Sequence, residues 1–306
     1  MSRIVYFGPQ GTFSEQAARA LVAASDELFP ADTIRAALGA VRAGDADAGC
    51  VPVENSVEGA VPATLDTLAE AEPLVAVAEA VLPIRFSVLV RSGITGTADI
   101  RTVASHPHAL AQVRGWLQAH LPEARTVAAS STAGAAVAVQ HGEYDAAISA
   151  PVAINHYPLR VYATDIADAA DAATRFLLLR RPGPPPEPSG ADRTSIVAEV
   201  DNRVGALWEL LQELSMRGIN LTKLDARPDQ RRLGRYRFFI DFEGHVTEPR
   251  VGDALASLHR RCNEVRFLGS FPRADHIGAT VLPKADNSDF LAAQQWLARI
   301  RDGSTA

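Results

Sequence analysis

Residues 174–189 decide the fold, and they read TRFLLLRRPGPPPEPS. The apolar run Thr174–Leu179 predicts a buried β-strand. Five prolines follow between Pro182 and Pro188. Because proline lacks a backbone N–H and fixes φ, this run fits neither a helix nor a central strand and predicts an extended linker over residues 182–191. The chain is therefore expected to divide into an N-terminal domain over residues 1–181 and a separate C-terminal module.

Short apolar runs alternate with helical patterns along residues 1–181, which predicts an α/β domain with a largely parallel sheet. The number of strands and a long apolar passage over residues 76–90 indicate two lobes. A cleft between two lobes is a common place for a small-molecule site. Helices are predicted near residues 15–24, 33–43, 62–70, 108–120 and 132–141. The predicted strands are Ile4–Phe7, Gly49–Val53, Leu74–Leu82, Phe86–Val90, Thr102–Ser105, Thr126–Ala129, Ala146–Ser149, Arg160–Tyr162 and Thr174–Leu179.

Residues 192–273 are predicted to form a small module with the element order βαββαβ, the ferredoxin-like arrangement. Asp201 or Asn202 is expected to cap its first helix, and Gly218 to end it. A turn over residues 228–234 is expected to join the two middle strands. The tail, residues 274–306, holds one predicted helix over residues 290–300. The predicted strands of the module are Ser195–Val200, Ile219–Arg227, Tyr236–Glu243 and Val265–Phe271.

The composition excludes several classes of protein. A net charge of −6 over 306 residues argues against nucleic acid or an anionic membrane as the main partner. Cys50 and Cys262 lie far apart in apolar contexts, as in a reducing cytoplasm, and no cysteine or histidine spacing predicts a metal site. Met1-Ser2-Arg3 runs directly into a predicted strand, and no apolar stretch is long enough to span a bilayer. We therefore expect a cytoplasmic protein.

Two candidate ligand-binding segments follow predicted strands near the N-terminus. Gly8–Thr12 combines glycines with the capping-box pair Thr12 and Glu15, so free N–H groups and the helix dipole would favour an anion. A well-capped helix alone would also explain this segment. Asn55 and Ser56 follow an apolar strand at the end where parallel α/β folds bind ligands. Ordinary turn chemistry explains that pair equally well.

Three further clusters follow later strands. Ser105 and His106 precede a helix that carries Gln112, and His106 is a minor acid–base candidate because imidazole titrates near neutrality. Ser130-Ser131-Thr132 is most simply a helix cap. Thr174-Arg175-Phe176 is unremarkable alone. Together the clusters offer amide, hydroxyl and backbone donors but no metal site, phosphate loop or catalytic triad.

The ordered set of these motifs resembles the prephenate dehydratase family with a C-terminal ACT domain. The resemblance covers roughly residues 3–273. It includes Gly205-Ala206-Leu207 and Arg227-Pro228 in the C-terminal module. It implies a bilobed catalytic domain like a type II periplasmic binding protein, and conversion of prephenate into phenylpyruvate, water and carbon dioxide without a cofactor.

The resemblance also implies roles for individual residues. Thr174 is the expected catalytic residue, and a hydrogen bond from it to the departing hydroxyl, concerted with decarboxylation, would suffice because aromatisation drives the reaction. Phenylalanine is the expected allosteric inhibitor, bound between two ACT domains of a homodimer or homotetramer. The expected substrate-binding residues are Gly11, Thr12, Asn55, Ser56, Ser105, Gln112, Arg175 and Phe176. The expected effector-binding residues are Asn202, Gly205, Ala206, Leu207, Asp225, Ala226, Arg227 and Pro228.

The chain departs from the family pattern at three points, and two alternatives remain open. Ala172 stands where many members have Asn, Val204 where a Pro is common, and Asp225-Ala226 where Glu-Ser is usual. Arogenate dehydratase is the nearest alternative, since its substrate carries an amino group in place of the keto group. The other alternative is a non-catalytic cytosolic amino-acid sensor, but it gives no reason for Thr174.

Overall fold

The computed structural model describes residues 1–169, 171–228 and 235–304. They form two compact units. The first comprises Met1–Thr67 and Ala80–Arg180, and the second comprises Leu68–Glu79 and Arg181–Ala306. The grouping of Leu68–Glu79 with the C-terminal residues has no signal in the sequence.

The first unit is a pair of α/β lobes, as predicted. Its helices are α1 (Phe13–Leu21), α2 (Ile34–Ala43), α3 (Pro62–Glu70), α4 (Pro107–Gln112), α5 (Arg114–His120) and α6 (Thr132–Gln140). Its strands are β1 (Arg3–Phe7), β2 (Glu27–Ala31), β3 (Ala48–Asn55), β4 (Gly59–Ala60), β5 (Val75–Pro83), β6 (Ser87–Val90), β7 (Thr102–Ser105), β8 (Arg125–Ala128), β9 (Ala146–Ser149), β10 (Arg160–Ala163) and β11 (Ala173–Arg180). Strand β5 and helix α3 each contain residues of both units.

Each lobe is built on its own sheet. The first lobe has the strand order β2-β1-β3-β11-β5, with β4 paired to β3, and the second has β10-β6-β9-β7-β8. The chain passes to the second lobe after β5 and returns in β11, which pairs with β3 in the middle of the first sheet. Alternate residues of β6 point to opposite faces, so Val88 and Val90 enter one apolar cluster and Leu89 another. This order confirms the predicted bilobed fold class.

Both sheets are mixed, so the prediction of a largely parallel sheet was wrong. In the first lobe β1 pairs in parallel with β2 and β3, but β11 runs antiparallel to β3. In the second, β6 runs antiparallel to both β9 and β10, while β7 pairs in parallel with β8 and β9. Strand β6, where the chain enters the second lobe, and strand β11, where it returns, run antiparallel to their neighbours. Parallel neighbours need a helical crossover connection, whereas antiparallel neighbours do not.

The second unit contains a βαββαβ module, so this prediction is confirmed. Its strands form an antiparallel sheet in the order β13-β14-β12-β15, and the helices cover one face with an apolar core that includes Ile196, Leu210, Phe242 and Leu258. The elements are β12 (Asp192–Val200), α7 (Ala206–Ser215), β13 (Leu221–Pro228), β14 (Tyr236–Glu243), α8 (Pro249–Arg261), β15 (Glu264–Pro272) and, in the tail, α9 (Asn287–Arg301).

The other face of this sheet is also buried, because residues 68–79 contact it within the same unit. Arg193 binds Glu79 at 2.8 Å, and Arg266 donates to the carbonyl of Leu68 at 3.1 Å. Gly269 has φ +131°, and a Cβ there would lie 2.3 Å from the carbonyl oxygen of Ala76. Only glycine fits so close a backbone approach. Strand β14 is therefore buried on both faces from Phe238 to Glu243, although its sequence alternates like a half-buried strand.

Several local predictions needed correction. Strand β2 was missed because Pro30 interrupts its sequence. The helix predicted over residues 108–120 is two helices, since fully buried Val113 leaves the helical region with φ −122° and ψ 13°. Neither Asp201 nor Asn202 caps α7, because its N-cap is Gly205 in the left-handed region. Of the turn expected over residues 228–234, only Pro228 belongs to the described residues. No helix in the described ranges combines the length and apolarity needed to cross a bilayer.

Candidate active site

A cavity of about 620 Å³ opens between the two lobes of the first unit. Its volume is in the range of small-molecule sites. The lining combines polar donors with apolar rings, and no Lys or Arg lines it in the part of the chain that the structure describes. The polar lining side chains are Thr12, Ser14, Asp32, Asn55, Glu58, His106, His108, Gln112, Ser130, Ser131, Thr132 and Thr174. The apolar lining side chains are Phe7, Pro9, Phe13, Pro52, Val61, Ile84, Phe86 and Ala109.

The central polar contact of the cavity joins Asn55 and Thr174. Antiparallel pairing of β3 with β11 sets these two residues opposite each other although they are 119 positions apart in sequence. The Asn55 Nδ2 donates to Thr174 Oγ1 at 2.8 Å, and Thr174 is 7% exposed. Because an amide N–H can only donate, the Thr174 oxygen accepts this bond and its own proton is left for another acceptor.

The orientation of the Asn55 amide is fixed by the backbone that follows it. Its Oδ1 accepts hydrogen bonds from the N–H groups of Val57 and Glu58 at 2.9 and 3.1 Å. Two backbone donors on one side-chain atom identify that atom as the oxygen, and therefore Nδ2 as the atom facing Thr174. Ser56 adds two bonds to Ala173, one through its backbone N–H and one through its Oγ. These hydrogen bonds fix the turn after β3 against the start of β11.

The loop Gly8–Thr12 lines one wall of the cavity and leads into α1. Thr12 caps this helix by accepting from the N–H of Glu15 at 3.4 Å. The Glu15 carboxylate is fully buried and accepts from the Gly11 N–H at 2.7 Å and from the Arg19 guanidinium. Burial opposes its ionisation, but the hydrogen bonds from Gly11, Arg19 and His156 outweigh burial and lower the pKa of Glu15. A buried carboxylate therefore fixes the shape of the loop.

The second lobe holds the same loop from the other side. His156 Nε2 lies 2.9 Å from Glu15 Oε1, and the Tyr157 hydroxyl donates to the carbonyl of Gln10 at 2.8 Å. Gly11 has φ +82°, and a Cβ there would lie 3.0 Å from the Cα of Ala153. Glycine is needed at position 11 because the backbone of the other lobe packs directly on it.

The wall from the second lobe carries two histidines and an amide. His106 caps α4 by accepting from the His108 N–H at 3.3 Å, and burial, followed by the charge of His108, lowers its pKa. His108 Nδ1 lies 2.5 Å from Glu58 Oε2, which belongs to the first lobe. Gln112 ends α4, and its Oε1 is buried with no hydrogen-bond partner among the described residues. A cavity-lining amide oxygen without a partner is available to a bound ligand.

The N-terminal ends of α1 and α6 both contribute to the lining. Ser131 caps α6 by accepting from the Gly134 N–H at 2.8 Å, in the same way that Thr12 caps α1. The first N–H groups of a helix and its dipole together attract anions. The cavity therefore has one such helix end from each lobe.

The structure brings Thr12, Asn55, Gln112 and Thr174 together at the cavity, but it places the other predicted substrate residues elsewhere. Ser105 is fully buried and donates to the carbonyl of Ile148, and Phe176 is 2% exposed in the core. Arg175 lies 3.9 Å from Glu54, on the opposite face of β11 from Thr174. Gly11 and Ser56 shape the backbone beside the cavity without lining it.

Sequence reasoning missed part of the lining. The sequence predicts only a helix cap for Ser130-Ser131-Thr132, and it predicts no role for Phe13 or Phe86. These two rings meet edge to face with centroids 5.6 Å apart. The helix-capping signal could have identified Ser130-Ser131-Thr132 as lining residues. A helix cap that follows the carboxyl end of a strand lies where α/β folds bind ligands. The aromatic pair has no local signal, since its members are far apart in sequence.

The predicted effector residues lie around the start of α7 and along β13. Gly205 begins α7 with φ +82° and no side-chain cap, while Arg203 and Glu209 pair beside it at 2.7 and 2.5 Å. Ala206 is buried, Leu207 is half-buried and Asn202 is exposed. Strand β13, which carries Asp225, Ala226, Arg227 and Pro228, is an edge of its sheet.

Two family models match the chain, "Prephenate dehydratase" over residues 4–184 and "ACT domain" over residues 194–260. A prephenate dehydratase of Amycolatopsis methanolica is 66% identical over 307 residues and covers 100% of both chains. This chain belongs to the prephenate dehydratase family. A relative from Mycolicibacterium vanbaalenii is 48% identical, covering 99% of each chain. The solved prephenate dehydratase of Arthrobacter aurescens, in complex with L-Phe, is 44% identical with a TM-score of 0.92 and covers 98% of this chain and 99% of its own.

Membership of the prephenate dehydratase family identifies the reaction. The chain is a lyase that dehydrates and decarboxylates prephenate, and it carries an ACT domain after its catalytic unit. The described residues contain no group of three or more His, Cys, Asp or Glu side chains arranged to hold a metal ion.

Proposed function

We propose that Thr174 is the catalytic residue of this prephenate dehydratase and that Asn55 orients it. Prephenate becomes aromatic when its ring carboxylate leaves as carbon dioxide and its ring hydroxyl leaves as hydroxide. The Thr174 hydroxyl donates a hydrogen bond to that departing oxygen, concerted with loss of carbon dioxide. The hydrogen bond from Asn55 to Thr174 carries this proposal, because it occupies the acceptor side of the hydroxyl and leaves the proton for the substrate.

The two carboxylates of prephenate match the two helix ends in the cavity. The N-termini of α1 and α6, with Thr12 and Ser131 as caps, supply the positive potential that the lining otherwise lacks. The unpartnered Oε1 of Gln112 and the ring pair of Phe13 and Phe86 complete a pocket for a small ring with polar substituents. Since one helix end comes from each lobe, binding the substrate favours the closed cleft.

The proposal is tested by comparing phenylpyruvate formation from prephenate by the wild-type and Thr174→Val enzymes at neutral pH, against an enzyme-free blank. The blank is needed because prephenate decomposes to the same product in acid. Parallel assays with arogenate decide whether the keto or the amino substrate is preferred. Turnover of arogenate beside prephenate would widen the substrate range of the enzyme.

We further propose that L-phenylalanine inhibits the enzyme by binding between ACT domains of two subunits, near Gly205–Leu207 and Asp225–Pro228. The similar protein from Arthrobacter aurescens was solved with L-Phe, and the uncapped start of α7 offers backbone N–H groups for an amino-acid carboxylate. The predicted division of roles is a catalytic domain over residues 1–181, a linker over 182–191, a regulatory domain over 192–273 and a tail over 274–306. The Gly205→Ala variant strains the left-handed residue, so half-inhibition should require more L-phenylalanine. Unchanged inhibition would contradict this placement.

We infer that the working form is a homodimer or homotetramer and that it acts in the cytoplasm. Binding between two ACT domains requires at least two copies of the chain. The thiols of Cys50 and Cys262 are both free in the structure, and burial raises the pKa of Cys262 to about 11, as expected for thiols kept reduced.

A further inference from the structure

The tail helix α9 is anchored to the second unit at its first turn. Asn287 Nδ2 donates to Glu248 Oε2 at 3.0 Å. Just before the helix, Ala285 is 8% exposed and packs so close to Gly218 that a Cβ on that glycine would lie 2.6 Å from the Ala285 Cβ. The Asp286 carboxylate caps the helix by accepting from the Ser288 N–H at 2.8 Å. The start of α9 is therefore fixed in position.

Beyond this anchor, α9 exposes a row of apolar side chains. None of its 15 residues is buried. Trp296, Leu297 and Ile300 are 55%, 40% and 46% exposed. With Phe290 and Ala293 these three residues recur at helical spacing and form one face, which we call the tail stripe. A helix of this length is marginally stable alone in water and gains most of its stability from packing an apolar face. In the described protomer Phe290 is half-buried, but Trp296, Leu297 and Ile300 remain exposed.

We propose that the tail stripe packs against the tail stripe of a second copy of this chain, in antiparallel orientation. The charges at the two ends of α9 are opposite: Asp286 and Asp289 lie at its start, and Arg299 and Arg301 at its end. A two-fold axis through an antiparallel pair brings the acidic start of each helix beside the basic end of the other. A parallel pair would place like charges side by side. The helix is thus self-complementary in charge and in apolar character.

This contact deepens the proposed homo-oligomer by naming one of its surfaces, and it rests on that part of the proposed function. It does not depend on the chemistry in the cleft. Self-association and phenylpyruvate formation are measured separately on the same full-length protein, so failure of one leaves the other standing.

The test compares two pairs of substitutions in the full-length chain by analytical ultracentrifugation. Trp296→Asp with Ile300→Asp places two charges on the tail stripe. Gln295→Asp with Ala298→Asp places the same two charges on the opposite side of the same helix and is the matched control. We expect the stripe variant to sediment at half the wild-type mass, or to need at least tenfold more protein to reach it, while the control keeps the wild-type mass.

Reversing the charge at one end tests the orientation. In Arg299→Glu with Arg301→Glu both ends of α9 are acidic, so the antiparallel pair weakens, and added salt strengthens it again by screening the repulsion. Circular dichroism and turnover of prephenate report whether each variant is folded. Wild-type mass in the stripe variant, or the same loss of mass in the control, would overturn the contact. Unchanged association after charge reversal would overturn the antiparallel orientation.

Discussion

The side-chain amide of Asn55 donates to the hydroxyl of Thr174 across 2.8 Å, and the amide oxygen is held at the same time by two backbone N–H groups. We infer from this arrangement that Asn55 positions Thr174, whereas the family resemblance implied contact with the substrate. The distinction matters because a donor next to the hydroxyl directs its proton toward the cavity, whereas an acceptor would capture that proton.

Replacing Asn55 by Asp reverses this one interaction with almost no change of shape. The carboxylate still accepts from Val57 and Glu58, but it also accepts the proton of Thr174. We expect kcat to fall by about 10²-fold or more, as for the loss of one donor to a developing negative charge. Steady-state kinetics with prephenate measure the effect, and thermal unfolding verifies the fold. Wild-type kcat in a folded Asn55→Asp enzyme would rule out the orienting role.

The close packing on Gly11 predicts a difference between two glycines with the same backbone. Gly11 and Gly59 have φ of +82° and +81°, but a Cβ contacts Ala153 and Tyr157 at the first position and nothing within 4 Å at the second. The left-handed conformation costs an alanine about 1–2 kcal/mol at either site, and overpacking adds about 1–3 kcal/mol at Gly11 alone. Chemical denaturation should therefore find Gly11→Ala less stable than Gly59→Ala. Equal losses would mean that the two lobes do not close on the loop as described.

The buried Glu15 predicts a pH-dependent share of stability. Its folded pKa is lowered, although burial opposes this, because Gly11, Arg19 and His156 bind the ionised form. A carboxyl whose pKa falls on folding contributes stability above its unfolded value of about 4.3 and loses it as the pH falls through the folded value. The melting temperature of Glu15→Gln should lie well below wild type near pH 7, and the gap should narrow below about pH 4. A gap that is constant with pH would show that the charge of Glu15 is not what stabilises the loop.

Much of the architecture could be predicted because it rests on local patterns. The βαββαβ order follows from alternation in strands such as β14 and from helical spacing in α7 and α8. Other features depend on distant parts of the chain. The burial of both faces of β14 requires residues 68–79. The helix that follows the break at Val113 starts on Asp168, a distant residue that accepts from the N–H groups of Gly115 and Trp116 at 2.8 and 3.0 Å. Strand β2 carries Pro30, which local rules exclude from most strands.

The site shows the same division. Thr174, Asn55 and Gln112 could be singled out from motifs, but the bond between Asn55 and Thr174 depends on a strand register that joins positions 119 apart. Ser105 belongs to the same set of motifs, yet its hydroxyl binds the carbonyl of Ile148 inside the second lobe. A motif therefore indicated which residues gather near the cavity, and only the packing decided which of them face it.

The most direct test of the account replaces Thr174 by residues of matched size. Valine keeps the shape and removes the hydroxyl, while serine keeps the hydroxyl and removes the methyl group. With prephenate as substrate, kcat of Thr174→Val should fall by about 10²–10³-fold. The Thr174→Ser enzyme should stay within about tenfold of wild type, because it retains a donor at the same atom. A folded Thr174→Val enzyme that forms phenylpyruvate at the wild-type rate would contradict the assignment of Thr174 as the group that assists hydroxide departure.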